Sequence, residues 1–133
     1  SISDGLDIDF SKLKIKNLDI LSSLNDCLDL SYGEYKLENL NLSNCGDKGL
    51  SVGEKSFLVL NKIKVNKANT GIAVKDSSKA TIEHLDISNT IKCIHVYRKK
   101  QEFSGAIANL KFVKCHDGKI EKQVGSFINR NTL

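Results

Sequence analysis

A four-residue phrase returns along this chain at intervals of about 22 residues. Gly5, Leu6, Asp7 and Ile8 are answered by Cys27, Leu28, Asp29 and Leu30, then by Gly49, Leu50, Ser51 and Val52. Gly71, Ile72, Ala73 and Val74 follow, and Cys93, Ile94, His95 and Val96 close the series. A period of this length marks a solenoid, in which each repeat covers the apolar face of its neighbour and none is stable alone.

Each repeat holds three apolar doublets with one residue between their members, and alternation with period two is the pattern of a strand with one buried face. The first repeat carries Leu6/Ile8, Leu13/Ile15 and Leu18/Ile20, and the second Leu28/Leu30, Tyr35/Leu37 and Leu40/Leu42. The third has Leu50/Val52, Leu58/Leu60 and Ile63/Val65, and the fourth Ile72/Val74, Ala80/Ile82 and Leu85/Ile87. In the fifth, Ile94/Val96, Gly105/Ile107 and Leu110/Phe112 keep the pattern if its first turn is about three residues longer. Three short strands per turn, stacked on their equivalents, predict an all-β, single-stranded, right-handed parallel β-helix. Five full coils begin near residues 4, 26, 48, 70 and 92, and 117–133 supply a partial sixth coil and cap, all in one domain over 1–133. Ile120, Val124, Phe127 and Ile128 have helix-like spacing in that cap.

The rival architecture is a leucine-rich repeat, because Leu37, Leu40, Leu42, Asn44 and Cys45 match its LxxLxLxxNC-like string. That fold has one LxL per unit and an irregular or helical return, whereas all three doublets persist here. Between the second and third strands stand Asn17, Asn39, Lys62, His84 and Asn109, residues suited to a corner near left-handed geometry. Stacked Asn side chains there should bond in a ladder, and His84 reads as a corner residue rather than a catalytic one.

A net charge of +4 with interleaved signs describes a soluble surface and does not imply nucleic acid. The apolar runs fall well short of the roughly 18 residues that a transmembrane helix needs. Cys27, Cys45, Cys93 and Cys115 lack CxxC spacing, which argues against zinc. Aligned by repeat, Cys27 lies over Cys93 and Cys45 over Cys115, three coils apart and beyond disulfide reach. Cys27 and Cys45 can approach within one coil, but buried thiols are the expected state. The open edges of the first coil call for a cover, from upstream sequence or another copy.

The whole pattern resembles the pectin-lyase-like, right-handed β-helix superfamily over roughly residues 4–115, many of whose members cleave, epimerise or bind acidic polysaccharides. Segments 44–56, 71–80 and 96–106 also resemble a bacterial β-helix repeat associated with spore-coat-protein-H-type proteins. The resemblance implies a module that binds or processes polysaccharide, in an extracellular or cell-envelope setting. The alternative is a non-catalytic assembly module whose ends stack on another domain or copy.

Outward positions of the first strands form two columns: Asp7, Asp29, Ser51, Ala73 and His95, and Asp9, Ser31, Gly53, Lys75 and Tyr97. The resemblance makes this face and its flanking turns the groove. Asp7, Asp9 and Asp29, with Asp4 and Asp26 in the preceding turn, are the candidate ligands for a hard cation such as Ca²⁺, which takes six to eight oxygens. Lys75, His95 and Tyr97 are the candidate acids and bases for proton abstraction next to a uronate carboxylate. Lys48, Arg98, Lys99 and Lys100 are the candidate contacts to an anionic substrate. Gly49 and Gly71 mark a recurring corner, and Gly53 is expected at a bulge.

Overall fold

A computed structural model describes residues 4–130, and no helix occurs among them. The strands in chain order are β1 (Leu6–Asp9), β2 (Lys12–Ile20), β3 (Leu28–Ser31), β4 (Glu34–Ser43) and β5 (Lys48–Gly53). They continue as β6 (Phe57–Lys75), β7 (Lys79–Tyr97), β8 (Ile107–Cys115), β9 (Lys119–Lys122) and β10 (Phe127–Arg130). Every strand pairing is parallel and joins one coil to the next, as a β-helix requires.

The register carries the sequence repeat into space. Leu6 pairs with Leu28, Leu28 with Leu50, Leu50 with Ile72 and Ile72 with Ile94. The doublets of all three sheets point inward, and from the second coil to the fourth they are almost wholly buried. At roughly 1.5–3 kcal/mol for each fully buried aliphatic side chain, these ladders are the main force offsetting the entropy of ordering the chain.

The fifth coil departs from the expected register. Lys75 pairs with Tyr97 but Lys79 with Ile107, so the intervening turn grows from 79 − 75 = 4 to 107 − 97 = 10, six extra residues rather than three. Consequently Ala108 and Leu110 sit under Ala80 and Ile82, while Val113 and Cys115 sit under Leu85 and Ile87. Gly105 and Ala106 can extend the apolar alternation by one doublet, which is why the sequence admits the shorter turn.

The proposed corner column also changes. Asn17, Asn39, Lys62 and His84 do stack, but their fifth member is Phe112, not Asn109. None of them has a positive φ, because β2, β4, β6, β7 and β8 bend through this corner without leaving extended conformation. The non-glycine left-handed residues lie at the other two corners: Phe10, Tyr32, Glu54, Lys55, Asp76 and Ser77 after the first strand, and Asn44, Lys67 and Asn89 after the third. The ladder is present, since the Asn39 side-chain amide donates to that of Asn17 at 3.0 Å. Ring stacking continues the column below, with the His84 and Phe112 centroids 4.7 Å apart.

The cysteines are disulfides, not buried thiols. Cys27 bonds Cys45 and Cys93 bonds Cys115, with Cα separations of 5.3 and 6.0 Å. Each bond links the entrance of a first strand to the end of the third-strand segment in the same coil. Having climbed one strand spacing, about 4.8 Å, the chain there passes over its own start, within disulfide reach. Cys27 and Cys93 replace glycine in the column of Gly5, Gly49 and Gly71, where the corner is crowded. A Cβ on Gly71 would stand 2.7 Å from both the Cys93 carbonyl oxygen and Ile87 Cγ2.

The helix-like spacing at 120–128 forms no helix. Ile120 in β9 pairs with Ile94, and Phe127 and Ile128 in β10 pair with Ile107 and Ala108, so the segment continues the solenoid as a partial sixth coil. Val124 is almost fully exposed in the intervening turn. The last three residues of the expected cap lie outside the described residues.

Candidate functional site

The first-sheet columns fall in the predicted order. Asp7, Asp29, Ser51, Ala73, His95 and Glu121 are successive register partners, and Lys75 lies beside Tyr97. Alternation places all of them on the outer surface of the sheet. Yet Ser51 and Ala73, at the centre of that surface, are fully buried. In the neighbouring column Lys75 folds across Gly53, where a Cβ would stand 2.9 Å from the lysine Cε. Gly53 therefore makes room for a neighbouring side chain.

At the early end of the face, carboxylates gather. One ligand oxygen each from Asp4, Asp7 and Asp29 lies within 4.8 Å of the others, and Asp9 is not in the group. Asp26 is buried nearby and accepts the Lys48 N–H at 3.1 Å, while its own N–H donates to Asp4. Burial, then the charges of Asp26 and Asp7, push the Asp29 carboxyl up to about 6, against a partial pull downward from Lys75. Asp7 is raised as well, by burial and then by Asp9 and Asp4. These oxygens would suit a hard cation, whose charge would relieve the repulsion directly.

Toward the middle lie two lysines with opposite circumstances. Lys48 Nζ is 2.9 Å from Asp47 and 4.0 Å from Asp26. Burial pulls its ammonium down, but the Asp47 hydrogen bond and the two carboxylates outweigh this and the net shift is upward. Lys75 is only 8% exposed and forms no hydrogen bond or ion pair with a described residue. Burial, followed by repulsion from Lys48 and Lys99, lowers its basicity, with Asp29 and Asp26 opposing. The buried Ser51 hydroxyl also lacks a hydrogen-bond partner among the described residues.

At the late end, the His95 and Tyr97 rings stack with centroids 4.1 Å apart. Burial and then Lys92 lower His95, which favours the neutral imidazole, whereas burial raises Tyr97 and holds its proton. A base without its proton and an acid with one thus stand side by side.

The basic turn is divided by its partners. Lys100 Nζ binds Glu54 at 2.9 Å, and so is directed toward a coil two steps earlier. Arg98 and Lys99 are exposed and form no side-chain ion pair among the described residues. Sequence reasoning did not single out Asp76, which organises this turn. It is fully buried, and one of its oxygens accepts the Lys99 and Lys100 N–H groups at 2.7 and 2.9 Å. Its position directly after the first-strand column is the only sequence signal for that role.

Concavities occur elsewhere on the molecule, including one of about 450 Å³ lined by Val59, Thr81, Glu83 and Lys111. The polar groups of the first sheet occupy an open face, the form that suits a polymer lying along the axis.

Parallel coils, three inward ladders and register partners one coil apart define a right-handed β-helix. The chain matches the family described as a right-handed beta helix region over residues 4–132, and it belongs to that family. No curated protein and no solved structure matches it.

Proposed function

We propose that the first-sheet face binds an anionic polysaccharide along the solenoid axis, in an extracellular or cell-envelope setting. The observation that carries this reading is Lys75: a nearly buried amine without a direct partner, midway between an acidic cluster and the His95–Tyr97 pair. A uronate carboxylate would give the Lys75 amine a direct ion-pair partner. Exposed Arg98 and Lys99 extend the attraction beyond the face, and a Ca²⁺ ion held by Asp4, Asp7 and Asp29 would bridge a second uronate at the acidic end. Two disulfides accord with an oxidising compartment.

The same geometry supports elimination on such a polymer. Neutral His95 would take the proton next to the carboxylate that Lys75 binds, and Tyr97 would protonate the departing glycosidic oxygen as the double bond forms. Retention on immobilised anionic polysaccharides tests binding, and the rise of unsaturated-uronate absorbance tests cleavage. Retention that Lys75→Ala weakens at least tenfold is expected. Equal passage of both proteins through every matrix would refute the reading.

One observation favours a second reading, assembly. Among the described residues nothing pairs with the outer edges of β1 and β2, and Leu6, Ile8, Ile15, Leu18 and Ile20 of that coil are only partly buried. An end-to-end stack would cover them. A concentration-dependent dimer that loses its association when Leu13 is changed to Lys, together with absent glycan retention, would favour it.

A further inference from the structure

The corner after the first strand is left-handed in each of the first four coils, and in the first two it carries large aromatic side chains. Phe10 and Tyr32 occupy successive coils there, each with φ of 50°. Left-handed backbone is tolerated by Gly, Asn and Asp but costs a bulky residue roughly 1–2 kcal/mol. Asp76, in the same column, is the kind of residue the corner favours. The two rings stack in parallel, with centroids 4.7 Å apart and an interplanar angle of 4°. That pairing returns only about 0.5–1.5 kcal/mol. Gly, Asn or Asp would lessen that cost, and Phe10 remains 76% exposed.

The six-residue insertion of the fifth coil brings a third ring to the same place. Phe103 lies 6.3 Å from Tyr32 across three coils, and Lys55 Nζ sits 5.9 Å from its centroid. The insertion is fastened by the Asp76 carboxylate, by the Lys100–Glu54 pair and by Ser77, whose hydroxyl lies 2.8 Å from that of Ser104. Phe10 thus stands exposed on a half-buried Tyr32, which Phe103 of the long tethered turn meets at an interplanar angle of 59°.

We infer that the outer face of Phe10, backed by the stacked Tyr32 ring, is a sugar-stacking platform, which takes the apolar face of a pyranose ring in a glycan chain. The C–H bonds on such a face carry partial positive charge and match the negative face of an aromatic ring. Hydroxyls at the sugar's rim would meet Asp9, which precedes Phe10. One exposed ring falls far short of the roughly 800 Å² per partner that a stable protein interface buries, but it suits a single saccharide unit. Because Phe10 and Tyr32 directly follow Asp9 and Ser31, the platform flanks the first-sheet face. The inference rests on the glycan reading above but adds a subsite indifferent to the sugar's charge.

The test follows aromatic ring resonances by NMR while neutral and uronate oligosaccharides are added. Both ligands are expected to shift Phe10 and Tyr32, and Phe10→Asn, which lessens the backbone strain, should weaken binding about fivefold to tenfold without lowering Tm. Phe10→Leu, which keeps apolar bulk, should weaken it similarly and serves if the Asn variant is unstable. Rings that stay unshifted at saturation, or a folded Phe10→Asn protein that binds as well as the parent, would overturn the platform. Shifts at His95 and Tyr97 alone would then leave the first-sheet reading standing. Shifts at the rings alone would uphold the platform and remove the first-sheet reading, and no shifts anywhere would count against both.

Discussion

Lys75 reaches one coil back to lie across Gly53, so closely that a Cβ on the glycine would stand 2.9 Å from the lysine Cε. The buried, weakened amine at the centre of the first-sheet face depends on that missing side chain. Gly53 has no positive φ, so alanine is compatible with its backbone. Gly53→Ala should therefore change stability by less than about 1 kcal/mol while turning Lys75 outward. Lys75 would then recover basicity toward that of an ordinary lysine, readable from its side-chain NMR titration. An unchanged titration would show that Gly53 does not set the lysine's position.

The two disulfides should each contribute about 3 kcal/mol, since they close loops with sequence separations of 18 and 22. Cys27→Ala with Cys45→Ala, and Cys93→Ala with Cys115→Ala, are expected to lower the urea midpoint separately. Chemical reduction should match the two losses combined. Midpoints that do not move on reduction would mean that the bonds add nothing to this fold.

Asp29 gives a pH dependence with a definite sign. Its carboxyl stands at about 6 in the folded protein, above the roughly 3.9 of an unperturbed aspartate. The folded state thus binds the proton more tightly, so this group's contribution is full below about pH 4 and lost as pH rises through about 6. Asp29→Asn should be more stable than the parent above about pH 6, by about 1 kcal/mol after solvent screening, with the difference closing below about pH 4. A constant difference across that range would contradict the assignment.

Ca²⁺ should raise Tm near neutral pH by shielding Asp4, Asp7 and Asp29, and the effect should shrink below about pH 5 as Asp29 takes up its proton. Chelator should reverse it. Asp7→Asn should remove most of it, whereas a full effect in that variant would place the ion elsewhere.

Much of this was legible in the sequence because a stacked solenoid turns equivalent letters into neighbours. Leu6, Leu28 and Leu50 announced one sheet, and the stacking of Asp7 on Asp29 and the closeness of His95 to Tyr97 followed from the period alone. The fifth coil was misread because Gly105, Ala106, Ile107 and Ala108 alternate equally well in two registers, and only backbone pairing decides between them. The disulfides were not foreseen because, although Cys27 and Cys45 share a coil, the sequence alone does not show that a first-strand entrance and a third-strand end come within bonding distance. Separations of 18 and 22 are close to one turn, and residues one turn apart are the vertical neighbours. Side-chain direction was least accessible. No period reveals that Lys75 bends over Gly53, or that the long turn carries Phe103 back to Tyr32.

The most direct measurement maps a uronate oligosaccharide onto the protein through backbone amide shifts. The account expects the largest changes at Ala73, Lys75, His95 and Tyr97, weakening as salt rises. Shifts absent at every ligand concentration, or confined to the second and third sheets, would contradict it.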